Sequence, residues 1–107
     1  MSAWDQAASA LLPQVKNYLN ITWEDEATDE KIRGLMLSAM AYLDGKRGYP
    51  AEYEKPGFAQ TLMMEYVRYG RDGALDVFEN NYQSMILAMR NERRAFYYVA
   101  EAIPAEG

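Results

Sequence analysis

The spacing of apolar residues is the feature that most constrains how this chain of 107 residues can fold. From residue 12 to residue 89 they recur every three or four positions, which is the period of an α-helix with one buried face. No stretch before residue 95 alternates between apolar and polar residues as a half-buried β-strand does. The pattern therefore predicts an all-α protein, a small bundle of about four helices with a C-terminal arm.

Capping and turn residues indicate where these helices begin and end. Pro13 suits the first turn of the first helix, because its missing N–H would have no partner there. The second helix is expected to begin after Thr28 as its N-cap and to end at Gly45. The third is expected to begin near Pro56, and Asp72 is a candidate N-cap for the fourth.

The end of the chain differs in composition from the rest, so we expect a helical domain over residues 1–89 and an arm over residues 90–107. The arm begins with arginines and continues with a β-prone aromatic run that could instead extend the fourth helix. Exposed aromatic residues beside arginines are typical of protein interfaces, although a frayed helix end is the simpler alternative. The residues predicted to bind a neighbouring subunit or a partner are Arg90, Arg93, Arg94, Phe96, Tyr97, Tyr98 and Val99.

The chain has neither histidine nor cysteine, which excludes Cys-type zinc sites, thiolate nucleophiles and the Ser-His-Asp triad. A hard cation held by carboxylates stays possible, and the run Glu24–Glu26 followed by Asp29 and Glu30 is the candidate. This run lacks the alternating ligands and central glycine of a calcium loop, so a solvated loop and helix start explains it more simply. We therefore predict no enzymatic activity, no metal and no cofactor.

The formal net charge is −5, from 16 acidic and 11 basic residues. The excess lies in residues 1–30, and it argues against a DNA-binding surface built on bulk positive charge. Arg68 and Arg71 could contact phosphates, but pairing with acidic neighbours on the surface is simpler. The longest apolar stretch, Leu35–Leu43, is far shorter than the ~20 residues that cross a bilayer. We expect a soluble intracellular chain with no membrane partner.

The second helix carries a stripe of mostly small residues beside its main apolar face. A helix that is apolar on two sides is expected to be buried on two sides, either by another helix of the same bundle or by another subunit. The predicted subunit interface consists of this stripe and two arginines of the third helix. Its residues are Gly34, Leu37, Ser38, Ala41, Arg68 and Arg71.

Several segments are not diagnostic one by one, but their order and spacing together are specific for one kind of protein. They are Val15–Thr22, Glu24–Glu26, Thr28–Lys31, Ala41–Asp44 and Tyr66–Tyr82. In this arrangement the chain resembles the head–tail connector, or neck adaptor, proteins of long-tailed bacteriophages and their prophages. The resemblance covers about residues 12–89 and does not extend to the arm.

The resemblance implies a non-enzymatic, all-helical protein that is made in the bacterial cytoplasm and ends up in the virion neck. Such proteins form a ring, usually a dodecamer, beneath the portal protein. The ring extends the DNA channel, lets DNA pass without sequence-specific binding, and docks the stopper or tail-completion protein. The residues alone leave two alternatives. One is a small helical DNA-binding or regulatory module with the third and fourth helices as its recognition pair, and the other is a carboxylate-based enzyme with Glu24, Asp25 or Glu26 gathered around a metal ion.

Overall fold

A computed structural model of the protein describes residues 3–48 and 50–102, with side chains as far as Asn91. Its helices are α1 (Ala3–Tyr18), α2 (Glu26–Arg47), α3 (Phe58–Arg71) and α4 (Leu75–Ala102). The described residues contain no strand, and the prediction of a small all-α bundle is confirmed. Within the same residues, every helix is too short or too polar to cross a membrane.

The first helix begins at Ala3 and not near Pro13, so the predicted start was wrong. Its first three turns bury Ala7, Ala8 and Leu11 against the core, and this burial favours helix before the proline. Pro13 lies inside α1 at an exposed position. The backbone hydrogen bond that it removes is therefore on the solvent side, where water can satisfy the free carbonyl.

Three predicted caps were also wrong by a few residues. Asp25 caps the start of α2, because its Oδ2 accepts a hydrogen bond of 2.9 Å from the backbone N–H of Thr28. At the other end, Gly48 adopts φ 85° and closes the helix, while Gly45 lies inside it. Asp72 ends α3 instead of starting α4. At each end of α2, a second residue of a type that caps helices lies three positions from the predicted one.

We expect opposite effects from adding a methyl group at the two glycines near the end of α2. Gly48→Ala forces an alanine into the left-handed region and should destabilise the protein by about 1 kcal/mol. Gly45→Ala lies in an exposed helical turn with no atom within 4 Å of the new Cβ, and should stabilise by up to about 1 kcal/mol. Urea unfolding of both variants checks this, and equal effects of one sign would contradict the cap assignment.

The hydrophobic core lies between α2 and its three neighbours. Helix α2 packs against α1, α3 and α4, and α3 also packs against α4. The predicted inner faces of the second, third and fourth helices supply most of this core, as expected from their spacing. The largest side chains that are fully buried are Phe78, Ile32, Met36, Met40, Leu43, Leu62, Met63, Met89, Val15 and Val67.

The fourth helix is much longer than the helix beside it. Helix α4 has 28 residues and α3 has 14, and the backbone of α4 departs from helical geometry at Tyr82, with φ −115° and ψ 15°. The backbone of the predicted arm therefore continues α4 as far as Ala102, which is the helical alternative left open by the sequence. The side chains of Arg93, Arg94, Phe96, Tyr97, Tyr98 and Val99 lie outside the described residues.

Candidate interaction surfaces

The stripe of small residues on α2 faces outward. Gly34, Ser38 and Ala41 are exposed, and no atom lies within 4 Å of the position that a Cβ would take at Gly34. Leu37 is half-buried and packs against the edge of the core. Another helix of the bundle was one of the two partners expected to bury this stripe. For the described part of the chain, that prediction was wrong. Contact with another subunit stays a prediction.

The two arginines of α3 have different surroundings. Arg68 donates hydrogen bonds to Glu65, from Nε at 3.1 Å and from Nη2 at 2.5 Å, and its guanidinium lies 5.2 Å from the centre of the Tyr69 ring. The expected pairing with an acidic neighbour is thus confirmed for Arg68. Arg71 is exposed at the last residue of α3.

A buried carboxylate, that of Glu65, connects three helices. Only 6 % of the residue is exposed, and the hydroxyls of Tyr18 from α1 and Tyr82 from α4 donate hydrogen bonds to its two oxygens. The hydrogen bonds of Arg68, and then those of the two tyrosines, lower the pKa of Glu65 to about 2 despite its burial. The carboxylate stays ionised at neutral pH and holds α1 and α4 to α3.

Glu65 was not among the residues predicted from the sequence to be buried or functional, so its role was missed. It stands between Met64 and Tyr66 in the apolar stretch from Leu62 to Val67. A lone carboxylate inside such a stretch, with tyrosines on neighbouring helices, is the signal that could have indicated a buried hydrogen-bonded group.

Polar contacts attach α1 to one side of α2. Lys16 is almost completely buried, and its Nζ lies 2.8 Å from Asp29 Oδ1. Further contacts join Arg33 Nη2 to Asp5 Oδ1 at 3.2 Å and Trp4 Nε1 to Asp44 Oδ2 at 2.7 Å. They run along the whole of α1, so this helix is fixed in position at both of its ends.

A second set of contacts attaches α4 to α2. The carboxylate of Glu79 accepts a hydrogen bond from the hydroxyl of Tyr42 and lies 2.8 Å from Nζ of Lys46. The ring of Tyr42 also contacts Phe78, with 6.1 Å between ring centres. An open groove of about 180 Å³ lies along α4 at this contact, and it is lined by Lys46 of α2 and by Glu79, Gln83, Ile86, Leu87 and Arg90 of α4.

The acidic run between α1 and α2 has structural roles. Asp25 caps α2, Asp29 pairs with Lys16, and Glu24 lies 3.7 Å from the same lysine. In the described parts of the chain, no three acidic side chains are gathered closely enough to hold a metal ion. The run therefore fits the interpretation as a loop and helix start better than that of a cation site.

Comparisons with models of protein families, with curated proteins and with solved structures found no match.

Proposed function

We propose that the protein is a structural head–tail connector of a long-tailed phage or prophage. In this role copies of the chain form a ring, a dodecamer, under the portal protein in the virion neck. The ring extends the DNA channel, offers a docking surface to the stopper or tail-completion protein, and carries out no catalysis.

One observation carries this proposal: the segments that resemble the connector family also contact one another in the fold. The segment Val15–Thr22 meets Thr28–Lys31 through the ion pair of Lys16 and Asp29. The segment Ala41–Asp44 meets Tyr66–Tyr82 through Tyr42, which packs against the Tyr66 and Phe78 rings. The resemblance thus follows the residues that hold the bundle together, and not isolated surface positions.

The surface of the bundle suits packing between copies. The stripe of Gly34, Ser38 and Ala41 is exposed and carries no charge, so it offers a close approach without desolvating ions. The second half of α4 extends beyond α3 and would place the arm, from Arg90 onward, against a neighbouring subunit or the portal. Burial of its arginine and aromatic side chains there would supply the residue types that dominate binding energy at interfaces.

The charge distribution suits a channel through which DNA passes. A conduit must not retain its cargo, and the acidic excess of residues 1–30 offers phosphates no attraction. A DNA-binding module would need free cations such as Arg68 on the third helix. Arg68 is instead paired with Glu65. The DNA-binding alternative would require tight, salt-sensitive binding of duplex DNA by the isolated chain, which fluorescence anisotropy at several salt concentrations would detect.

We expect deletion of residues 91–107 to abolish binding to the cognate portal while leaving the bundle folded. The deletion removes the aromatic arm, whereas the contacts of Glu65, Glu79 and Asp29 that join the helices all lie before it. Co-sedimentation with portal rings measures binding, and circular dichroism with urea unfolding reports the fold. Unchanged portal binding by the folded, truncated chain would contradict the role given to the arm.

A further inference from the structure

The described backbone of α4 leaves helical geometry at one residue, Tyr82. Its φ of −115° and ψ of 15° differ by more than 50° from the values of about −63° and −42° that are typical of an α-helix. Residues 75–102 contain neither proline nor glycine, which are the commonest causes of a break in a helix. The cause of this break therefore lies in the contacts of Tyr82 and in the residues beside it.

The residues on both sides of Tyr82 favour helix only weakly. Asn80, Asn81 and Ser84 have low helix propensity, because their side chains compete for backbone hydrogen bonds. Residues 79–84 are all exposed except Tyr82, which is half-buried. A stretch of low helix propensity thus coincides with a stretch in which a single side chain is packed into the bundle.

Three contacts hold the side chain of Tyr82. Its hydroxyl donates a hydrogen bond to the buried carboxylate of Glu65 on α3. Its ring stacks on that of Phe78, with 5.1 Å between the ring centres, and meets the ring of Tyr69 edge-on at 5.5 Å. A hydrogen bond to an ionised acceptor is about twice as strong as one between neutral groups. The bond to Glu65 is therefore the main contact that fixes the backbone at the break.

Beyond Tyr82, the part of α4 whose side chains are described is attached by apolar contacts alone. No hydrogen bond or ion pair joins a described side chain of residues 83–91 to another helix. Ile86 and Met89 are buried, and Met85 is half-buried. Apolar burial has no preferred direction, and methionine side chains adapt to changed surroundings. These contacts can therefore be remade when the helix changes its angle.

We propose that Tyr82 is a hinge in α4 and that its hydrogen bond to Glu65 holds this hinge closed in the free chain. When the hydrogen bond opens, residues 83–102 pivot together and the arm changes direction with them. The hinge is a property of the isolated chain, but its use rests on the proposed connector function. A movable arm can meet a neighbouring subunit or the portal at an angle that the closed hinge does not present.

Distances between spin labels test the hinge, since the native chain contains no cysteine that would be labelled as well. The far pair is Ser38→Cys on α2 with Asn91→Cys beyond the hinge, and the near pair is Ser38→Cys with Asn80→Cys before it. All three positions are exposed. Double electron–electron resonance gives the distribution of each distance.

The test variant is Tyr82→Phe, which removes the hydroxyl and keeps the ring. Loss of a hydrogen bond to a charged group should raise the population of the open hinge about 10-fold or more. We therefore expect a second population of distances in the far pair and an unchanged distribution in the near pair. Circular dichroism verifies that the variant is folded.

The matched control is Tyr18→Phe, which removes the other tyrosine hydrogen bond to Glu65, the one from α1, and should change neither pair. Glu65→Gln weakens the acceptor and keeps both tyrosines, so it should add the same far-pair population to a smaller extent. A far pair that stays unchanged in both Tyr82→Phe and Glu65→Gln would overturn the inference. Equal changes in the near pair, or in Tyr18→Phe, would do the same. If rings still assemble on the portal in those cases, only the hinge is wrong and the connector function stands.

Discussion

Replacement of Phe78 by alanine is expected to reduce the free energy of unfolding by about 3–5 kcal/mol. The ring of Phe78 is 1 % exposed and packs against four tyrosine rings, with 5.1 Å between its centre and that of Tyr82 and 5.3 Å to that of Tyr66. Truncation removes these contacts and leaves a cavity where α2, α3 and α4 meet. Because small domains have only about 5–15 kcal/mol of stability, the variant should be close to unfolding at 37 °C.

The matched control for this prediction is Phe58→Ala. Phe58 begins α3 and is 39 % exposed, so its truncation should cause less than half of the loss expected at Phe78. Urea unfolding followed by circular dichroism gives both values. Equal losses at the two positions would show that Phe78 is not at the centre of the core.

Replacement of Glu65 by glutamine is expected to destabilise the protein by about 2–3 kcal/mol at pH 7. The glutamine side chain is similar in size, but it cannot accept from Tyr18, Tyr82 and Arg68 together with the strength of an ionised carboxylate. The loss should appear in urea unfolding, and the helix content of the native state should not change.

The same variant has a characteristic pH dependence. In the folded chain the pKa of Glu65 is lowered to about 2, so its stabilising effect is complete above its unfolded pKa of about 4.3. The effect is lost as the pH falls from about 4.3 through about 2, because the folded carboxylate must then take up a proton. The difference in stability between wild type and Glu65→Gln should therefore shrink over this interval. Glu52→Gln, which removes only an exposed ion pair with Lys55, should show no measurable change at neutral pH.

The sequence was sufficient to predict the fold class and most of the core, because helical spacing reports directly which residues are buried. It was not sufficient to predict the start of α1. The buried face there includes alanines such as Ala7 and Ala8, which are only weakly apolar and give a faint pattern in the sequence. Nor did it separate Asp25 from Thr28 as the N-cap of α2, since both residue types cap helices and lie within one turn.

The interaction surfaces were harder to predict for a physical reason. The pattern on α2 marked Gly34, Ser38 and Ala41 as a separate stripe, but it did not show that α1 and α4 pack elsewhere on α2 and leave the stripe open. That the outward side of α1 carries no charge becomes visible only when the partners of Asp5 and Lys16 are known. Which charged residues pair across helices depends on how the helices pack. The spacing of residues along one helix does not show it.

Assembly on the portal tests the central proposal most directly. The wild-type chain should be mixed with its cognate portal rings, and the complexes should be examined by mass photometry and negative-stain electron microscopy. We expect one ring of this protein, a dodecamer for a portal of the same symmetry, stacked coaxially on each portal. Portal rings of unchanged mass, with the chain remaining monomeric beside them, would contradict the connector function.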